Sequence, residues 1–200
     1  MAAFLSELVR IADDLNASGV RWCLVGGLGA SVYAEPRTTK DIDLVVAISD
    51  EAEFAHLRNF LICRGYTNPQ LLMHSMPTRR MGWRLILSGS SKNVIPVDFL
   101  SQACGIEEEI VSQAHQLEIL KGVKFPVASL AHLIAMKLLS QNDTDRIQDR
   151  ADLMALISVS SAEDIEAARE AVTLIVERGF NAGRDLNNEF KIFLNQLPST

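Results

Sequence analysis

The run Val25-Gly26-Gly27-Leu28-Gly29-Ala30-Ser31, followed by Arg37-Thr38-Thr39-Lys40-Asp41-Ile42-Asp43-Leu44, decides how this 200-residue chain is read. Val20 to Val25 is short, β-branched and aromatic, which predicts a strand. It passes through Gly26 and Gly27 into a helix over Leu28 to Ala34 that stops at Pro36. Glycines let backbone N–H groups approach a phosphate, and a helix start favours its negative charge; Ser31 adds a hydroxyl. The run is neither G-x-G-x-x-G nor a Walker loop, since no Gly-Lys-Ser/Thr follows, so dinucleotide and P-loop binding are disfavoured. Asp41 to Ile48 predicts a second strand, rich in Ile, Leu and Val. Side chains alternate faces along a strand, so Asp41 and Asp43 project together and Ile42 projects away. Two adjacent carboxylates repel unless a cation lies between them, and oxygen-only ligands suit Mg²⁺ or Mn²⁺.

A third acid stands out downstream. Asp98 interrupts the apolar run Val94-Ile95-Pro96-Val97-Asp98-Phe99-Leu100. Trp83 to Leu87 and Asn93 to Leu100 read as an antiparallel hairpin around Ser88-Gly89-Ser90-Ser91, with Pro96 demanding an edge position or a bulge. If the Asp98 strand lies beside the Asp41 strand, three carboxylates converge in the arrangement that holds metal ions for in-line attack on a phosphate.

Outward from these elements, residues 2 to 16 form an amphipathic helix. Asp50 and Glu53 resemble a capping box for a helix that ends near Gly65. Asn68 to Gly82 is polar, holds two prolines and shows no period, which predicts a long loop. A helix over Gly105 to His115 precedes short strands at Leu117 to Leu120 and Val123 to Val127. From Ser129, an N-cap, the pattern is helical throughout: Leu130 to Leu139, Arg146 to Ile157, Ala162 to Arg178 and Leu186 to Leu197. In the last, Leu186, Phe190, Phe193, Leu194 and Leu197 form one core-facing stripe. The fold class is α/β (α+β): a small mixed sheet flanked by helices over residues 1–127, then a C-terminal helical region over 128–200 packed on that core.

Hydrophobic residues make up 48% of the chain and charged residues 22%, enough apolar surface for an ordinary globule. Cys23, Cys63 and Cys104 are odd in number, far apart and in no CxxC pair, which argues against a disulfide framework or a zinc site and for the cytoplasm. The N-terminus lacks a secretory pattern, and no apolar run is long enough for a membrane span. The net charge of −6 is uneven. The acid excess lies in the second half, whereas Arg58, Arg64, Arg79, Arg80, Arg84 and Lys92 fall in an interval between Glu53 and Asp98 that has no acid. Such a segment suits phosphate, or is a solvated face. His56, His74, His115 and His132 have no ligand spacing and are assigned no role.

The order of glycine pair, Arg-x-Thr-x-Asp-x-Asp and third Asp resembles the polymerase-β-like nucleotidyltransferase superfamily. The resemblance implies that Gly26 and Gly27 cradle an incoming triphosphate, with Ser31, Arg37, Thr39 and Lys40 around the nucleotide. It implies that Asp41, Asp43 and Asp98 hold the metal and that Asp98 helps to activate the attacking hydroxyl. Leu133-Ile134-Ala135-Met136-Lys137-Leu138, followed by Arg146-Ile147-Gln148-Asp149-Arg150-Ala151-Asp152-Leu153, is similar to the helical segment of AbiEii-type nucleotidyltransferases, many of them toxins of toxin–antitoxin pairs. Lys137 matches a lysine that faces the nucleotide phosphates. Arg146, Asp149 and Asp152 share one helical face, where they brace the site or form an interhelical salt-bridge network without catalysis.

The expected activity is metal-dependent transfer of a nucleoside monophosphate from an NTP to a hydroxyl on a tRNA 3′ end or a protein side chain, with an antitoxin as a further partner. Two alternatives stand beside it. One is a catalytically silent module that binds a nucleotide or a partner; the other is a transferase acting on a small molecule such as an antibiotic. An RNA acceptor predicts a basic groove, and the acidity of the helical half leaves the acceptor open. Phosphatase or sugar-transferase chemistry is disfavoured, because the glycine turn precedes the Asp-x-Asp and the later acidic motif of such phosphatases is missing.

Overall fold

The sheet grows from β2 (Ile42–Val46), whose Ile42, Leu44, Val45 and Val46 are all fully buried. The computed structural model describes residues 2–36, 38–74, 78–88, 94–141 and 147–196. On one side β2 pairs antiparallel with β1 (Trp22–Leu24), and on the other it runs parallel to β5 (Val94–Leu100). Outside β5 lie β4 (Arg79–Ser88) and then β3 (Tyr66–His74), both antiparallel to their neighbours. Outside β1 lie β7 (Val123–Val127), parallel to it, and β6 (His115–Leu120) at the far edge. The seven strands form one mixed sheet in the order β3-β4-β5-β2-β1-β7-β6.

The twofold alternation of strand side chains sorts this sheet into two faces. Trp22, Leu24, Ile42, Leu44, Leu85, Val97 and Phe99 point to one face and pack beneath α1 (Ala2–Ser18) and α3 (Glu51–Cys63). Cys23, Val25 and Val45 point to the other. There they meet α4 (Glu107–Ser112), α5 (Leu130–Ser140), α6 (Ile147–Ser158), α7 (Ala162–Glu177) and α8 (Leu186–Asn195). Burying each large side chain of these clusters contributes about 1.5–3 kcal/mol. By the same alternation Asp41, Asp43, Arg84 and Asp98 fall on the second face, at positions where an uninterrupted core would place apolar side chains.

Local chemistry sets the helix ends. Asp50 accepts a hydrogen bond from the Glu53 amide at 2.8 Å, and the Glu53 carboxylate reaches back to the amide of Ser49 at 2.9 Å, one residue before the expected partner. Ser129 caps α5, and Ser161 with Asp164 forms a full capping box on α7. In α8, Leu186, Phe190 and Phe193 are buried and Leu194 packs against them, as the stripe predicts; Leu197 lies outside the described residues.

The expected loop over Asn68 to Gly82 is a correction. Most of it is β3 and the start of β4. β3 is an edge strand with most of its side chains exposed, so it shows no apolar alternation for periodicity to detect. Asn68 sits at φ 51 in a bulge between Thr67 and Gln70, and Pro69 is tolerated because the strand has a partner on one side only. Pro96 is a milder correction, since β5 is interior. Its parallel pairing with β2 begins one residue later, at Ile42 and Val97, so at Pro96 the strand is locally an edge. Helix α4 is shorter than its predicted span, and His115 belongs to β6. Among the described residues, no helix is long and apolar enough to cross a membrane.

Candidate active site

The turn from β1 into α2 (Gly26–Tyr33) places the glycines over β2. The Val25 amide donates to the Asp43 carbonyl at 3.0 Å, which ties the turn to the strand below. Gly26 has φ +60, and a Cβ there would lie 2.0 Å from Asp43 Oδ2. Backbone conformation and close approach both demand glycine. The glycines thus form the first turn of the helix rather than a loop before it, and Gly26 and Gly27 line the same cavity as the acids. Gly26→Ala is expected to leave the fold intact by circular dichroism but to lower kcat/KM about a hundredfold, because misplacing a catalytic group by on the order of 1 Å costs that much.

Asp43 and Asp98 are register partners on adjacent parallel strands. With Asp41 they offer three carboxylate oxygens that all lie within 4.8 Å of one another. Burial, first, and then the charges of Asp41 and Asp98 push the Asp43 carboxyl up to about 6, with Lys137 and Arg84 opposing the rise. A donor set of three carboxylates with no nitrogen or sulfur fits a hard divalent cation such as Mg²⁺ or Mn²⁺.

Two cations bound the acids. Arg84, opposite Asp98 in the β4–β5 register, donates to both Asp98 oxygens, from Nε at 2.6 Å and from Nη2 at 2.7 Å, and stands 3.6 Å from Asp41. Lys137 on α5 is buried, with Nζ 2.7 Å from Asp149 and 2.8 Å from Asp152 of α6. Ser140 donates to the other Asp149 oxygen at 3.2 Å. The pair Asp149 and Asp152 therefore clamps the lysine, as their shared helical face suggests.

A cavity of about 630 Å³ adjoins these groups. Its polar wall includes Gly26, Gly27, Asp41, Asp43, Asp98 and Lys137. Leu72 and Met73 of β3, with Met81, Leu133, Met136 and Leu139, supply an apolar wall. Thr39 does not line the cavity; its hydroxyl donates to the Asp41 carbonyl at 2.8 Å and approaches Asp41 Oδ1 at 3.2 Å, so it orients an acid. The Ser31 hydroxyl donates to the Gly27 carbonyl at 2.8 Å within α2, away from the cavity lining. Lys40 is exposed beside Asp41 and also outside the lining. Arg37 and Arg146 lie outside the described residues.

Sequence reasoning missed Arg84 as a site residue and missed the β3 contribution of Leu72, Met73 and His74. It noted Arg84 only as one cation of the acid-free interval. That interval is largely committed inside the molecule. Arg58 stacks over Trp83, Arg64 pairs with Asp14 at 2.9 Å, Arg79 stacks over Phe180, and Arg80 pairs with Glu51. Lys92 lies outside the described residues.

Over residues 10–197 the chain matches the family described as nucleotidyl transferase AbiEii toxin, type IV toxin–antitoxin system. It belongs to the AbiEii nucleotidyltransferase family. AbiEii proteins are nucleotidyl transfer enzymes, and this one carries the three-acid cluster on a sheet of the matching fold. An antigenic nucleotidyltransferase-like protein from Paracoccidioides brasiliensis superimposes with a TM-score of 0.57 at 16% identity, covering 96% of this chain and 93% of that one. The antibiotic-resistance factor ANT(2'')-Ia superimposes with a TM-score of 0.53 at 14% identity, covering 97% and 94%. At such identities the likeness establishes the fold of this AbiEii chain and no more. No curated protein matches it in sequence.

Proposed function

We propose that this AbiEii protein transfers a nucleoside monophosphate from an NTP to a hydroxyl acceptor, with Mg²⁺ or Mn²⁺ held by Asp41, Asp43 and Asp98. The observation that carries the reading is the convergence of those three carboxylates within 4.8 Å beside the glycine turn. When bound, the metal neutralises charge on the reacting phosphates. The amides at the start of α2 hold phosphate oxygens, and the Lys137 ammonium, fixed by Asp149 and Asp152, adds positive charge to the same wall. Asp98 accepts the proton of the acceptor hydroxyl as its oxygen bonds to the α-phosphorus. The bond from that phosphorus to the bridging oxygen breaks, and pyrophosphate leaves with the electron pair. Lys40, exposed beside Asp41, adds positive charge at the edge of the site, and Thr39 acts through Asp41.

The protein acts as the toxin of a toxin–antitoxin pair in the reducing cytoplasm, where its three free cysteines stay reduced. The acceptor is a tRNA 3′ end or a protein side chain. The apolar wall beside the acids supports a second reading, a small-molecule acceptor, as the name of the antibiotic-resistance neighbour suggests. A silent binding module is disfavoured, because holding three like charges together is costly without the chemistry that uses them.

The test is transfer of label from each α-labelled NTP into total tRNA, protein extract and aminoglycosides, with Mg²⁺ or with a chelator. Label is expected in one fraction and lost on chelation, which identifies the acceptor class. Transfer that persists after chelation, or nucleotide binding with no transfer into any fraction, sinks the proposal.

A further inference from the structure

The acid cluster carries its own counter-ion, and that group sits where a metal ligand must be free. Among the described residues, Arg84 is the cation in direct ion pairs with the cluster, bidentate on Asp98 and 3.6 Å from Asp41. Lys137 is nearby, but its charge is already matched by Asp149 and Asp152. Asp98 is only 7% exposed, and both of its oxygens are engaged by the guanidinium fork. A divalent ion on those oxygens would stand beside a full positive charge in a poorly solvated site. The same engagement keeps Asp98 from taking a proton from an acceptor. There is space beside Arg84 for the side chain to turn into, since it is one-third exposed and borders the cavity.

We infer that Arg84 is an exchangeable counter-ion: it occupies Asp98 and Asp41 before the metal arrives and withdraws from Asp98 when a divalent cation enters. It is a positioning residue, acting through Asp98. This inference rests on the metal reading above. It makes cation binding a competition inside the protein, so the native site binds metal more weakly than its three carboxylates alone would.

The test is Mn²⁺ binding to the full chain without nucleotide, read by the loss of the free-ion electron paramagnetic resonance signal. Arg84→Gln is expected to bind Mn²⁺ about tenfold more tightly, because a charge-assisted bidentate competitor has been removed. Arg84→Lys keeps the charge but loses the fork and should fall between the two. Arg80→Gln removes a cation of the same strand that faces Glu51, and should stay within about twofold of native. Unchanged or weaker Mn²⁺ binding in Arg84→Gln overturns the inference, as does equal tightening by Arg80→Gln, which would mark a general charge effect. If Arg84→Gln fails to fold, Arg84→Lys decides, and an affinity equal to native overturns the inference. Mn²⁺ binding to native protein with no gain in the variants defeats this inference alone; no binding to any of them defeats the metal reading and this inference together.

Discussion

Replacing Asp43 by Asn is expected to abolish nucleotidyl transfer and, without metal, to make the protein more stable. The two effects share one cause. Asp43 lies at the centre of the cluster, paired in register with Asp98, two residues from Asp41 and in contact range of Gly26. An amide of the same shape removes the central charge of the proposed metal site, and on that reading kcat/KM should fall about a thousandfold or more, since metal stabilisation of the transition state is worth several kcal/mol. The stability gain follows from the carboxyl's titration. It ionises at about 6 in the folded protein against an ordinary 3.8, so between these values the folded state binds a proton that the unfolded chain has released. Stability therefore falls as pH rises through that window, and the full cost stands above it. The Asn variant escapes this cost, a gain on the order of 2 kcal/mol at neutral pH after allowance for solvent screening. Urea denaturation with a chelator should show the variant ahead of native at pH 7 and the gap closing towards pH 4. A variant less stable than native at pH 7 would mean that Arg84 and Lys137 already overcompensate the repulsion.

Lys137→Met is expected to act in the opposite direction on stability. The lysine, Asp149 and Asp152 are all mostly buried, with the ammonium between two carboxylates at 2.7 and 2.8 Å. Taking out the ammonium leaves two like charges facing each other in a poorly solvated place, a loss of about 3 kcal/mol. Methionine fills a similar volume, so the loss reports charge rather than a cavity. The triple variant Lys137→Met, Asp149→Asn, Asp152→Asn should recover most of that stability, because it removes the whole charged set rather than one member. Chemical denaturation of the native, single and triple proteins checks this, and transfer should be lost in both variants because the cavity beside the acids keeps Arg84 but has lost its lysine cation. A triple variant as unstable as the single one would assign the loss to packing.

The parts of the fold that bury side chains with a regular period were legible in the sequence. β2, the β4–β5 hairpin and the helices from Ser129 onward all stand where their apolar patterns place them. The acids were legible because Asp98 interrupts an apolar strand, and acids in such places ask for a reason. β3 was not legible, because it is held by backbone pairing to β4 while its side chains face solvent. Missing β3 hid one wall of the cavity. Arg84 was hidden by register. A turn at Ser88 to Ser91 places Arg84 short of Asp98, whereas the observed pairing of Ser88 with Val94 carries Arg84 directly opposite it. The shift is three residues along β5, from Ile95 to Asp98, and nothing local in the sequence fixes that register.

The strand order also dictates when the enzyme comes into being. β1 is closed on one side by β7, whose Val127 pairs with Leu24 roughly a hundred residues earlier. The clamp on Lys137 needs α6 as well. Ribosomes add about 5–20 residues per second, and contacts between distant segments form late. A nascent chain that has already displayed Gly26, Asp41 and Asp43 thus waits for the segments through α6 before those residues face a finished pocket. An enzyme of this topology has its pocket only once β7, α5 and α6 have all joined the sheet that carries the acids.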